Sequence, residues 1–237
     1  IVVNPTSDTK YYVTATDANG CKNSDSVEVF VNPLPTANAG SDQTVCFGDT
    51  AILNASGGNN YFWNNNVGSS TNNVAPTSTS NFVVTVSDQN GCTDNDTVTV
   101  FVNSLPNIQT SADTFTCWGA QVPLSATGAN LIIWSTGDTS SITLVSPSVN
   151  TTYYATGIDG NGCVNTDSIE VTVNSLPTIS TSPDTAICIG DTAELRASGG
   201  SFYFWNNGAQ SATQKVNPAQ TSSYIVTVAS AAGCFSF

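Results

Sequence analysis

The residues of this chain whose types and spacing could do chemistry are seven cysteines and three columns of aspartate. The cysteines are Cys21, Cys46, Cys92, Cys117, Cys163, Cys188 and Cys234, alternating at spacings of 25 and 46. The aspartates recur as Asp42, Asp113 and Asp184, as Asp17, Asp88 and Asp159, and as Asp25, Asp96 and Asp167. Thiols can pair, ligate metal or attack; carboxylates can bind calcium or work in pairs on a glycosidic bond. The chain has no histidine, which removes imidazole acid–base chemistry and histidine-ligated metal. It has no C-x-x-C pair either, so thiolate metal sites are not predicted, and no base is at hand for a catalytic thiol. A catalytic carboxylate pair is normally built once, whereas these columns repeat. Asp17, Asp88 and Asp159 each open an Asp-x-Asn-Gly-Cys turn, where a carboxylate bonds the turn's own backbone. No calcium-loop pattern is present, which leaves structural calcium as the lesser alternative. The expectation is no catalytic residue, no metal ligand and no cofactor.

That leaves disulfides. Spacing 46 pairs Cys46 with Cys92, Cys117 with Cys163 and Cys188 with Cys234 and leaves Cys21 single; spacing 25 staples neighbouring repeats across the linkers instead and leaves Cys234 single. A whole strand, Ser26 to Asn32, lies between Cys21 and Cys46 and spans roughly 20 Å when extended. The reading therefore favours spacing 46, with the partner of Cys21 outside the chain. A bridge closing such a loop stabilises by about 4 kcal/mol in the chain-entropy treatment. Regular paired cysteines place the chain in an oxidising compartment.

The elements that must position these residues come from an internal repeat of period 71. Trp63, Trp134 and Trp205 keep that step, as do Leu53, Leu124 and Leu195 and the tripeptides Pro33-Leu34-Pro35, Ser104-Leu105-Pro106 and Ser175-Leu176-Pro177. Two complete repeats, 36–106 and 107–177, are flanked by the back half of one (1–35) and by one lacking its last strand (178–237). The register predicts a parent array extending in both directions. Within a repeat the period is two. Phe82-Val83-Val84-Thr85-Val86 and Thr97-Val98-Thr99-Val100-Phe101-Val102 alternate and are β-branched, joined by an Asn-Gly hairpin turn at 90–91. Six or seven short strands per repeat predict a small antiparallel β-sandwich, with Trp63, Trp134 and Trp205 as core anchors over a neighbouring disulfide. Tyr11, Phe82, Tyr153 and Tyr224 are also read as core. Phe47, Trp118 and Ile189, each following a cysteine, are read as a cap under the disulfide or as part of an interface between repeats.

Composition narrows the partners. Charged residues are 9% of the chain, 17 acidic against 4 basic, for a net charge of −13. With no basic patch, binding to nucleic acid or an anionic membrane is excluded, and no apolar run is long enough to insert in a membrane. Abundant Thr, Ser and Asn with few Lys and Arg suit an extended, solvated, protease-resistant stalk.

Val-Cys-Phe-Gly-Asp-Thr-Ala-Ile-Leu-Asn-Ala-Ser-Gly-Gly (45–58), then Tyr-Phe-Trp, Val-x-Pro and Val-Thr-Val-x-Asp-x-Asn-Gly-Cys, resembles the immunoglobulin-like and PKD-like repeats of giant Bacteroidota surface proteins. Such arrays occur in gliding-motility adhesins of the SprB type, in type IX secretion substrates and in secreted enzymes. Asn60-Tyr61 and Ser201-Phe202 stand where the SprB repeat has Pro-Tyr, which favours the immunoglobulin-like relatives. The resemblance implies a tandem array of immunoglobulin-like sandwiches with one disulfide per repeat. It implies a non-catalytic stalk of a long adhesin on the outer-membrane exterior of a bacterium, serving surface attachment or gliding. The partners would be neighbouring repeats, surface polysaccharide or other cell-surface proteins. The alternative is a spacer, or carbohydrate-binding repeats, in a secreted polysaccharide-degrading enzyme. The same phylum O-glycosylates Asp-Ser/Thr followed by a small or aliphatic residue, which marks Ser26, Thr50, Thr97, Ser168, Thr185 and Thr192 as candidates.

Overall fold

The computed structural model describes all 237 residues and builds them from strands, turns and loops without a helix. It divides into two compact units, Ile1–Ser104 and Leu105–Phe237.

The first unit opens with an antiparallel hairpin of β1 (Thr9–Thr16) and β2 (Lys22–Val29). A sandwich follows: β3 (Gln43–Cys46), β4 (Ala51–Asn54), β5 (Asn60–Trp63), β6 (Thr71–Val74), β7 (Ser80–Ser87) and β8 (Thr93–Asn103). One sheet has the order β3-β8-β7-β5; the facing sheet is β4-β6, with a bridge between Asn38 and Ser56. Period-two alternation in β7 and β8 sends Val84, Val86, Val98 and Val100 inward, each fully buried, against Leu53, Val74 and Trp63. Each such side chain contributes about 1.5–3 kcal/mol of burial.

The second unit repeats this plan. β9 (Gln109–Thr110), β10 (Thr114–Cys117), β11 (Val122–Thr127), β12 (Leu131–Trp134), β13 (Ile142–Val145), β14 (Thr151–Ile158) and β15 (Val164–Asn174) form sheets ordered β10-β15-β14-β12 and β13-β11-β9. Its core gathers Leu124, Ala126, Trp134, Val145, Ala155, Ile169 and Val171. Then come β16 (Ser180–Thr181), β17 (Ala193–Ser198), β18 (Phe202–Trp205), β19 (Thr213–Val216), β20 (Val226–Ala229) and β21 (Phe235–Ser236), in sheets β16-β17-β19 and β18-β20-β21 around Trp205, Val226 and Val228.

The sandwiches are not wholly antiparallel. β3 runs parallel to β8, and β10 parallel to β15 with Thr114 opposite Val171 and Cys117 opposite Asn174. The hairpin turns form as expected: the Asp88 carboxylate accepts from the backbone N–H of Asn90 and Cys92 at 2.9 and 2.8 Å, and Gly91 takes a positive φ. Gly128 is fixed by space as well as by φ, since a Cβ there would fall 1.9 Å from the Asn107 carbonyl oxygen.

Candidate functional sites: the cysteine and aspartate columns

Cys117 bonds to Cys234, with Cα atoms 5.5 Å apart and a sequence separation of 117. That separation is one spacing of 46 plus one period of 71. Cys46 and Cys163 are also disulfide-bonded, while Cys21, Cys92 and Cys188 are free. The expected pairs Cys46–Cys92, Cys117–Cys163 and Cys188–Cys234 are therefore overturned.

The reason is the parallel strand. β10 carries Cys117 level with Asn174, the last residue of β15. Cys163 stands just before Val164, the first residue of the same strand. The length of β15 thus separates the two thiols by roughly 35 Å, against a limit of about 7 Å between bonded Cα atoms. Cys46 and Cys92 are kept apart in the same way, at opposite ends of β8. Cys117 instead sits where the chain leaves one sandwich through Ser175-Leu176-Pro177. There it meets the hairpin turn of the next, where the Ser230 N–H donates to the Cys234 carbonyl at 2.9 Å. The Cys234 sulfur lies 3.9 Å from the Asn174 carbonyl, and Cys234 is fully buried. The bridge is a staple between consecutive repeats.

The tryptophans are core, as expected, but no cysteine belongs to their clusters. Their partner is a loop: the indole N–H of Trp63, Trp134 and Trp205 donates at 2.9 Å to the carbonyl of Ser69, Ser140 and Ser211, always six residues on. Phe82, Tyr153 and Tyr224 pack against the cores, and Tyr11 is half-buried on the opening hairpin. Trp118 is half-exposed beside the linker. Its backbone N–H donates to the Asn174 carbonyl at 2.9 Å, and it lines a shallow cavity with Ser148, Val173, Ser175 and Leu176. Phe47 and Ile189 are exposed.

The aspartate columns act on backbone. Asp167 on β15 reaches the opposite sheet, accepting from the Thr110 hydroxyl at 2.7 Å and the Thr110 N–H at 3.0 Å, and from its own neighbour Ser168 at 2.9 Å. These bonds, the Thr110 hydroxyl first, hold its carboxyl below the usual range. Asp96 clasps the first sandwich in the same manner through the N–H of Ala39 and then Thr97, and its pKa is lowered likewise. Asp42 and Asp113 accept from the N–H of Thr99 and Glu170, each at 2.8 Å. No group of three or more Asp, Glu, Cys or His gathers as a metal site. The clasps join residues 57 positions apart, a distance over which sequence spacing gives no local signal.

All six candidate glycosylation positions, Ser26, Thr50, Thr97, Ser168, Thr185 and Thr192, are exposed. So are aromatics for which no surface role was expected: Phe62, Phe101, Phe115, Tyr154, Phe202 and Phe204. Strand alternation alone could have placed Phe62 and Phe204 outward, since each precedes a core tryptophan.

No protein-family model matches the chain, and no curated protein matches it. Among solved structures it is similar to a Ca²⁺-stabilized adhesin that helps an Antarctic bacterium reach out and bind ice. That likeness has 15% identity over 97% of this chain and 79% of the other, with a TM-score of 0.35. A 1.5-MDa bacterial ice-binding adhesin shares 14% identity over 87% of this chain and 96% of the other, at a TM-score of 0.29. The N-terminal eight immunoglobulin domains of the Down syndrome cell adhesion molecule share 15% identity over 86% of this chain and 38% of the other, at 0.33. Likenesses this distant add no weight; the sandwich assignment rests on the strand order and the cores.

Proposed function

We propose that the chain is a non-catalytic stalk segment of a long cell-surface adhesin, standing on the outer-membrane exterior of a bacterium and serving attachment or gliding. The observation that carries this reading is the bridge between consecutive repeats, Cys117 to Cys234. A staple across a linker restrains the angle between neighbouring sandwiches, and a Pro in that linker restrains it further. Restraint of that kind is what reach requires of a stalk, each repeat adding roughly 35–45 Å. The disulfides support an oxidising, extracellular place. The resemblance to Bacteroidota repeats supports export by the type IX route. Immunogold labelling of intact cells with an antibody to residues 36–177 tests this. Long labelled filaments are expected; label confined to the medium and co-purifying with hydrolase activity overturns it.

Exposed Phe62 and Phe204 favour a second reading, carbohydrate-binding repeats in a secreted polysaccharide-degrading enzyme. A glycan-array screen of the full chain tests it: binding lost in Phe62→Ala and Phe204→Ala supports this reading, and no binding removes it. Glycans on Ser26, Thr50, Thr97, Ser168, Thr185 and Thr192 are proposed for either reading, supported by the exposure of all six. Intact mass of the native protein is expected to exceed the sequence mass by whole hexose units. Neighbouring repeats of the chain are its first partners; surface polysaccharide and other surface proteins are the proposed outer ones.

A further inference from the structure

Tension along a polypeptide follows the shortest covalent path between the points of pull. In the second unit that path is short. Cys117 lies thirteen residues past Ser104, and Cys234 lies three before Phe237. Between the two cysteines stand the buried core of the second repeat, Ile108 excepted, and all of the buried core around Trp205. A disulfide inside one sandwich would protect that sandwich and leave the linker and the next repeat in the line of pull. This bridge spans the linker itself. Both of its ends are anchored: Cys117 closes the parallel ladder of β10 on β15, and Cys234 is fully buried in a hydrogen-bonded turn.

We infer that the Cys117–Cys234 bridge is a load bypass for the second unit: a pull between position 104 and the C-terminus crosses the sulfur–sulfur bond and leaves residues 118–233 outside the path of tension. The biological use rests on the stalk reading, since a stalk is what is pulled; the bypass itself is a property of the covalent path. The second unit would take such a pull without unfolding its sandwiches. Its extension limit would be set by redox state, lengthening severalfold once the bridge is reduced.

Single-molecule stretching of the full chain tests this, with clickable handles at exposed position 104 and at the C-terminus. Without reductant, extension is expected to saturate at about 60 Å, the reach of sixteen residues. With a phosphine reductant it is expected to saturate at about 480 Å, the full reach of the chain from position 104 to the end. The phosphine opens the sulfur–sulfur bond to two thiols and leaves as its oxide, with the oxygen and the protons taken from water. Cys234→Ser and Cys117→Ser are each expected to show the long extension without reductant, and Cys188→Ser the short one. The reductant arm needs no substitution, so a variant that fails to fold leaves the test standing. An extension of about 480 Å in the untreated protein overturns the bypass. A limit of about 310 Å overturns it by marking a Cys117–Cys163 bond. Surface labelling decides the stalk reading separately: cells without filaments remove that reading while the short limit leaves the bypass intact.

Discussion

Asp167 shows how much a single carboxylate does in a chain so poor in charge. It stands on β15 and holds β9 of the facing sheet through both donors of Thr110. Because these bonds favour the ionised form, its folded pKa lies below the unfolded value of about 3.9. The sign follows: the stabilisation is fully present above that unfolded value and is lost as pH falls through the lower folded one. Asp96 adds the same dependence to the first sandwich. Asp167→Asn keeps an acceptor oxygen but loses the ion. It is expected to lower Tm at pH 7 and to flatten the decline of Tm below about pH 4. A decline as steep as in the unaltered protein would show that the clasp is not the acid-sensitive group. The turn aspartates were legible from sequence because their partners lie two and four residues away. The clasps were not, because a carboxylate on a strand gives no sign of which distant N–H it meets.

Among the elements, the turn after each core tryptophan offers a comparison that the repeat itself supplies. The N–H of residue 66, 137 or 208 donates back to the tryptophan carbonyl, at 2.9, 2.8 and 2.9 Å. Gly137 and Gly208 take positive φ there, and Asn66 takes φ 68°, the one non-glycine residue to do so. Asparagine tolerates the left-handed region at some cost; glycine adopts it freely. Asn66→Gly is expected to be neutral to stabilising by a few tenths of a kcal/mol, and Gly137→Val to destabilise by about 1–2 kcal/mol, both read from chemical denaturation. Loss of stability in Asn66→Gly would mean that the Asn66 side chain, not its backbone, holds the turn. Strands and hairpins were readable because Val84, Val86, Val98 and Val100 alternate strictly around an Asn-Gly signal. The parallel placement of β10 on β15 was not. Thr114–Cys117 is a strand of only four residues, and its partner lies more than fifty positions on.

For the whole molecule that one unreadable pairing decides the covalent plan. With β10 placed at the wrong end of β15, Cys163 looks like the partner of Cys117; with it placed correctly, the partner must come from the next repeat. A bridge closing a loop of this length contributes about 4–5 kcal/mol in the chain-entropy treatment. Cys117→Ser is expected to lower the Tm of the second unit's transition and to weaken its sensitivity to reductant; a transition unmoved by the change would show that the bridge contributes nothing to folding. The bridge also sets an order of events as the chain emerges. At about 5–20 residues per second, the turn bearing Cys163 appears within seconds of Cys117, whereas Cys234 follows on the order of 10 s after it. During that interval the first thiol to follow Cys117 is the wrong one, and a finished β15 keeps it away. Folding must therefore precede oxidation in this chain: the sandwich acts as the template that selects its own cross-link, and an oxidant arriving too early would trap the mispaired form.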